Sequence, residues 1–114
     1  MEIKTDKYSV EYMRKNRLIT FKGILRLLGK DEYREIFELL TQAANETTGL
    51  PLKLDMSKLQ FLNSSGISSL SMFIIKMRQL DKDITMIGNN EIPWQEKSLR
   101  NFQKLYGKVE IIFP

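Results

Sequence analysis

The order of strand and helix patterns along the chain constrains its fold more than any other sequence feature. Two strand-like segments, residues 8–13 and 17–23, flank a short polar turn and predict an N-terminal hairpin. The rest of the chain alternates, with helices predicted at 31–45, 65–80 and 93–106 and strands at 52–56, 84–88 and 109–113. The order β-β-α-β-α-β-α-β is typical of an α/β sheet whose parallel neighbours are joined by right-handed crossovers.

This order predicts a single domain over residues 1–114, because the chain has no linker, repeat or low-complexity segment. We expect a mixed, mostly parallel β-sheet with an N-terminal hairpin and with helices packed on it. The sequence also predicts two local details, the start of the first helix and the length of the strand that follows it. Asp31 is the predicted N-cap of the first helix, and the strand at 52–56 is predicted to be short, with a connector at 57–63 leading to the next helix.

The composition excludes every kind of catalysis that depends on histidine or cysteine. The chain contains no histidine and no cysteine. Ser-His-Asp triads, histidine acid–base chemistry, thiolate nucleophiles and the usual zinc sites are therefore unavailable. A serine hydrolase would need a lysine as its base, which makes it the weakest alternative. We expect a protein that is not an enzyme and that needs no cofactor or metal.

Charge and hydropathy also restrict the partners. The 18 Lys and Arg residues are interspersed with 14 Asp and Glu residues, so the net charge of +4 predicts a solvated surface, not a nucleic-acid-binding patch. No apolar run is long enough for a membrane span, and residues 1–20 lack the apolar core of a signal peptide. We therefore expect a cytoplasmic protein without nucleic-acid or membrane partners.

Polar residues are concentrated where the strand at 52–56 and its connector give way to the second predicted helix. Asn63, Ser64 and Ser65 can each cap a helix, because a side-chain oxygen accepts from the free amides of the first turn. Capping alone explains one of them. Gly66 lacks a Cβ, so another surface could approach the backbone there. A phosphoserine is also compatible with this position, because a helix N-terminus favours negative charge.

The segment "LKLDMSKLQFLNSSGISSL" resembles the signature of STAS domains, the anti-sigma-factor-antagonist family. The family pattern is an apolar strand ending in Asp, a connector with an aromatic residue, and a Ser-Ser/Thr-Gly turn that opens a helix. Asp55 matches the strand end, Phe61 the aromatic residue, and residues 64–66 the turn. Asn63 departs from the pattern, because the family usually has Asp there. The order of elements agrees over nearly the whole chain.

The resemblance implies a partner-switching regulator of bacterial transcription. Family members of this size bind a serine kinase of the GHKL type, often itself an anti-sigma factor, when the first serine of the turn is unphosphorylated. Phosphorylation of that serine, here Ser64, ends binding, and a PP2C-type phosphatase restores it. Carried onto this chain, the resemblance predicts a partner-binding surface formed by Asp55, Asn63, Ser64, Ser65, Gly66 and Ser68.

Two other binding functions remain open on the sequence. A STAS-like adaptor could bind its partner without phosphorylation, which the neutral Asn63 favours. A STAS-like domain could also carry a small ligand, although no sequence feature demands one. The chain ends at "VEIIFP", where the family often adds a helix, and this predicts an exposed edge compatible with a monomer or a weak homodimer.

Overall fold

A computed structural model describes residues Met1–Pro114 and shows one six-stranded sheet with four α-helices. The strands are β1 (Glu2–Lys4), β2 (Tyr8–Met13), β3 (Leu18–Leu25), β4 (Leu52–Leu62), β5 (Ile84–Ile87) and β6 (Val109–Ile112). The helices are α1 (Gly29–Glu32), α2 (Arg34–Glu46), α3 (Ser64–Gln79) and α4 (Gln95–Leu105), and a 3-10 turn spans Arg14–Asn16.

The strands lie in the sheet in the order in which they occur along the chain. The pairs β1–β2 and β2–β3 are antiparallel, whereas β3–β4, β4–β5 and β5–β6 are parallel. Crossovers of one hand between sequential strands place their helices on one face of a sheet, and α3 accordingly contacts both α2 and α4. The core is a single cluster of 26 buried residues between helices and sheet. The predicted fold class is confirmed.

The predicted short strand at 52–56 was wrong, because β4 continues to Leu62. The register against β3 shows one extra residue in β4 between Asp55 and Lys58 and another between Leu59 and Phe61. Each extra residue is a bulge that interrupts the period-2 alternation of buried side chains. The alternating pattern in the sequence therefore stops halfway along the strand, although Leu59 is fully buried again after the first bulge.

The strand β5 does not pair with the second half of β4. Side chains from the segment after β5 instead donate hydrogen bonds to the backbone carbonyls there. Gln95 is fully buried, and its Nε2 donates to the carbonyls of Met56 at 2.6 Å and Leu59 at 3.0 Å. The Trp94 indole N–H also donates to the Leu59 carbonyl, at 3.2 Å, and Asn89 Nδ2 donates to the Ser57 carbonyl at 3.3 Å. Since buried backbone groups need partners, these side chains take the place of a missing strand.

The N-terminal part differs from the prediction in two other ways. The edge strand β1 was not predicted, because three exposed or half-buried residues carry almost no pattern. Asp31 is not an N-cap. Helix α1 begins two residues earlier, at Gly29, and Asp31 lies within it and pairs with Arg34 Nη2 at 2.7 Å. Helix α2 begins without a side-chain cap.

An ion pair between Arg14 and Glu46 joins the hairpin tip to the end of α2 and makes stability depend on pH. Hydrogen bonds, first from Arg14 and then from Gln42, lower the pKa of Glu46 to about 2 from its usual 4.5. The folded state therefore favours the carboxylate. Its contribution to the free energy of unfolding is complete above pH 4.5 and is lost as the pH falls through 2.

We therefore expect Glu46→Gln to lower the free energy of unfolding near neutral pH and to match the wild type near pH 2. Urea unfolding between pH 2 and pH 7 would measure this difference. Glu38→Gln is the matched control, because Glu38 is an exposed carboxylate on the same helix without an ion pair. A wild-type advantage that stays constant down to pH 2 would contradict the assignment.

Candidate functional site

The candidate site lies at the carboxyl end of β4, where α3 begins. Asn63 connects the two elements in an extended conformation, and its Oδ1 accepts from the Gly66 backbone N–H at 3.0 Å. This is the N-cap arrangement that satisfies a free amide of the first helical turn. The prediction that a residue of the Asn63-Ser64-Ser65 group caps this helix is confirmed, and the cap is Asn63.

Asn63 also joins the turn to the segment that follows β3. Its Nδ2 donates to the Leu27 carbonyl at 2.7 Å, and its Oδ1 accepts from the Tyr33 hydroxyl at 2.6 Å. The Tyr33 oxygen in turn accepts from the Leu27 N–H at 3.4 Å, and burial raises the pKa of Tyr33. We call these bonds among Leu27, Tyr33, Asn63 and Gly66 the Asn63 network.

The Asn63 network explains why this chain has Asn where the STAS pattern that it resembles has Asp. An aspartate offers only acceptors when ionised, whereas the Leu27 carbonyl needs a donor at this point. The amide of Asn63 supplies that donor on Nδ2 and keeps the capping acceptor on Oδ1. The neutral side chain therefore has a structural role, because an aspartate could make the capping contact but could not donate to Leu27 when ionised.

The two serines of the turn are in different situations. Ser65 is half-buried, and its Oγ accepts from the Gly29 N–H at 3.3 Å, which holds α1 against α3. Ser64 is the first residue of α3, its side chain is exposed, and its Oγ makes no hydrogen bond within the chain. Of the two hydroxyls, the one at Ser64 is free for modification or for a partner.

Gly66 does not have the exposed position that the sequence suggested. It is buried, and a Cβ added there would lie 2.2 Å from Leu62 Cδ1 and 2.7 Å from the Tyr33 hydroxyl oxygen. These distances are far below van der Waals contact. The glycine is needed because α3 packs closely on the end of β4 and on the Asn63 network, so its proposed contact with a partner is corrected to a packing role.

Asp55 is also separated from the turn. It lies in the middle of β4 rather than at the strand end, and its Oδ1 accepts from the backbone N–H of Ser57 at 2.9 Å and from its hydroxyl at 2.7 Å. Seven strand residues lie between Asp55 and the end of β4, a distance of roughly 20 Å. Asp55 supports the bulge in β4 and does not share a surface with Ser64.

A groove of about 550 Å³ adjoins the turn, between α3 and the α1–α2 segment. Four small hydroxyl side chains line its α3 side, and two cations and two apolar side chains complete it. The lining residues are Ser64, Ser65, Ser68, Ser69, Met72, Lys30, Arg34 and Phe37. We call this the serine groove. The predicted site residues Ser64, Ser65 and Ser68 come together in it.

The sequence analysis missed the residues on the opposite wall of the serine groove. Lys30, Arg34 and Phe37 follow one another at helical spacing of four and three residues, which places them on one face of a continuous helix. The sequence carries that signal, but it does not show which segment this face opposes. Only the crossover from β3 through α2 to β4 places these side chains opposite the serines.

No protein-family model matches the chain, and no curated protein sequence matches it either. The fold is similar to that of several solved structures. The structure of SiaC of Pseudomonas aeruginosa aligns with a TM-score of 0.75 at 11% identity, covering 100% of this chain and 96% of that one. A chain in the crystal structure of the diguanylate cyclase SiaD in complex with its activator SiaC, from the same organism, gives a TM-score of 0.72 at 12% identity, with 100% and 99% covered.

A crystal structure of apo-SiaC from Pseudomonas aeruginosa gives a TM-score of 0.68 at 10% identity and covers 98% of both chains. These likenesses span the whole domain, so the chain shares its complete fold with SiaC. At this level of identity they show the fold alone. The structure contains no helix with the combination of length and hydropathy that a membrane span requires, and no three acidic side chains converge on a possible metal position.

Proposed function

We propose that this chain is a non-enzymatic protein-binding switch that docks a signalling partner through the turn at Ser64 and is controlled by phosphorylation of that serine. The observation that carries the proposal is the position of the Ser64 hydroxyl. It is exposed, free of hydrogen bonds and set on the rim of the serine groove. A kinase can reach this oxygen without disturbing the Asn63 network.

The environment of Ser64 would tolerate a phosphate. The first turn of α3 has the positive end of the helix dipole, which favours an added charge of about −1.5 to −2. Lys30 and Arg34 line the same groove. Phosphorylation should therefore leave the fold intact and change the surface that a partner meets. The family resemblance supplies the proposed enzymes, a GHKL-type serine kinase and a PP2C-type phosphatase.

The shared fold suggests a class of effector. SiaC is described as the activator of SiaD, a diguanylate cyclase, and the two form a complex. We propose a nucleotide-signalling enzyme of that kind as the first effector to test for this chain, ahead of the anti-sigma factor that the family resemblance implies. In both cases the chain acts by binding a protein and not by catalysis.

The test compares Ser64→Ala with Ser64→Asp. The partner would be captured from extracts of the native host, identified by mass spectrometry and titrated in purified form. We expect Ser64→Ala to bind like the unphosphorylated wild type and Ser64→Asp to bind about tenfold more weakly, because an added carboxylate changes the charge of the docking turn. Ser71→Asp is the matched control on the same helix, outside the groove-lining residues.

Peptide mapping of residues 59–76 from the native host measures the phosphate directly. A phosphate on Ser64 together with weakened binding of Ser64→Asp would support the switch. If the wild type, Ser64→Ala and Ser64→Asp bind the partner equally and Ser64 has no phosphate, the adaptor that binds without phosphorylation would be favoured. A small molecule that copurifies with the chain and is lost in serine-groove variants would favour the ligand carrier.

A further inference from the structure

We propose that the serine groove binds an acidic amphipathic helix of the partner and that Lys30 and Arg34 are the cations that recognise its carboxylates. This inference rests on the proposed function, since it assumes that a protein docks beside Ser64. It adds the chemical class of the docking segment and the residues that select it. Shape, apolar contacts and charge each support it.

The shape of the groove suits a helix. Its α3 wall consists of serines at positions 64, 65, 68 and 69, and their small side chains leave open the space between α3 and α2. From Ser64 to Met72 the wall extends about 12 Å along the helix axis, which corresponds to two turns of an opposing helix. Binding of an amphipathic helix in a groove between two helices is a recurrent mode of peptide recognition.

Two apolar side chains give the groove a surface that an amphipathic helix can cover. Phe37 is half-buried and packs edge-on against Phe73, with ring centroids 6.3 Å apart. Met72 is 57% exposed, although it lies beside the buried face of α3. An exposed flexible methionine next to an aromatic ring provides an adaptable apolar contact. A partner helix would cover both side chains.

The charged side chains of the groove determine whether its ligand should be acidic or basic. Among the eight lining residues, Lys30 and Arg34 are cations and none is an anion. Arg34 pairs with Asp31, but both side chains of this pair are largely exposed, at 66% and 86%. Such pairs contribute little free energy, so a ligand carboxylate can exchange with Asp31. The groove is therefore complementary to an acidic segment.

Phosphorylation of Ser64 would act on the same two cations. A phosphate on the rim would add about −1.5 to −2 charges to a groove lined by one lysine and one arginine. It would compete with the partner's carboxylates for Lys30 and Arg34 and would repel them. In this account a single covalent change converts a site for an acidic helix into one that rejects it.

The experiment is a selection from a displayed library of 16-residue helical peptides with randomised charged and apolar positions. The full-length chain is the bait, and the selected peptides are measured by fluorescence anisotropy. We expect them to be enriched in Asp and Glu and to carry apolar residues at helical spacing. Amide and methyl NMR shifts should map their contacts to Phe37 and Met72.

Charge variants make the test specific. Lys30→Glu/Arg34→Glu should bind the selected peptides at least about tenfold more weakly, and a peptide whose acids are replaced by lysine should recover binding to this variant. Lys30→Gln/Arg34→Gln is the milder second variant. Lys97→Glu/Lys104→Glu on α4 makes the same change in net charge away from the groove and should bind like the wild type.

A library that yields no binder, binders without acidic bias, or equal loss in the α4 control would overturn the inference. These results leave the proposed function separately testable. Phosphate on Ser64 without selected acidic helices would keep the switch and remove this docking segment. Selected acidic helices without phosphate on Ser64 would keep the docking segment and remove the switch.

Discussion

Replacing Asn63 with Asp should lower the free energy of unfolding by about 1–2 kcal/mol at neutral pH, although the substitution brings the chain closer to the STAS pattern that this segment resembles. The Nδ2 group that donates to the Leu27 carbonyl at 2.7 Å would become a carboxylate oxygen. Leaving a partly buried acceptor without its donor costs about 1–3 kcal/mol. A carboxylate at the start of α3 recovers only about 0.3–1 kcal/mol from the helix dipole.

The loss should shrink at acid pH, because a protonated carboxyl group can again donate to Leu27. Urea unfolding of the wild type and Asn63→Asp between pH 3 and pH 8 would measure this difference. Asn63→Ser is the control that retains a capping acceptor, lacks the longer amide that donates to Leu27 and has no carboxyl group to titrate, so its loss should not depend on pH. An Asn63→Asp protein as stable as the wild type at pH 7 would show that the contact with Leu27 contributes nothing.

Gly66→Ala should destabilise the fold by about 1–2 kcal/mol. Its new methyl group would lie 2.2 Å from Leu62 Cδ1 and 2.7 Å from the Tyr33 hydroxyl oxygen. Overpacking of this kind costs about 1–3 kcal/mol, and moving Tyr33 would also weaken its bond to Asn63. The gain in helix propensity from Gly to Ala, about 1 kcal/mol at most, offsets part of the loss.

Gly107→Ala is the matched control for Gly66→Ala. A Cβ at Gly107 would meet no atom within 4 Å, and this glycine does not have a positive φ. We expect Gly107→Ala to change the free energy of unfolding by no more than about 0.5 kcal/mol. Thermal and urea unfolding of the two variants measure the contrast. Equal effects at both positions would contradict the packing role of Gly66.

These two predictions divide the residues of the turn by role. Asn63 and Gly66 hold α3 on the end of β4, and Ser65 accepts the hydrogen bond that joins α1 to α3. Ser64 is the residue of the group whose side chain takes part in none of these contacts. A short motif in which most positions are structural and one hydroxyl is free is well suited to regulation, because modification of that hydroxyl does not break the fold.

Periodicity was a reliable guide where the structure is regular. The alternation of helices and strands predicted the α/β sheet and its hairpin. The capping residues at 63–65 predicted a helix from residue 65, one residue after the observed start of α3 at Ser64. Periodicity failed at β4, where two bulges change the side-chain phase while Leu59 remains buried. It also failed for β1, which has only three residues and depends on pairing with β2 for its order.

Contacts between distant segments account for the other errors. Asp31 has the residue type and spacing of an N-cap, but α1 forms earlier in the chain, where Gly29 donates to Ser65 on α3. Asp55 has the position of a strand end in the sequence pattern, but β4 continues past it because it stays paired with β3. Gln95 and Trp94, 35 or more residues away, bond β4 carbonyls that β5 does not reach. Neither contact has a signal in the local sequence.

The sequence by itself determined the order of the elements from β2 onward apart from α1, the sheet class and the capped junction at Ser64, because these depend on side-chain periodicity and on interactions within a few residues. The tertiary structure decided which residues form a site. It placed Lys30, Arg34 and Phe37 opposite the serines, buried Gly66 and separated Asp55 from the turn. Crossover geometry and close packing set these placements, and both are properties of the folded chain as a whole.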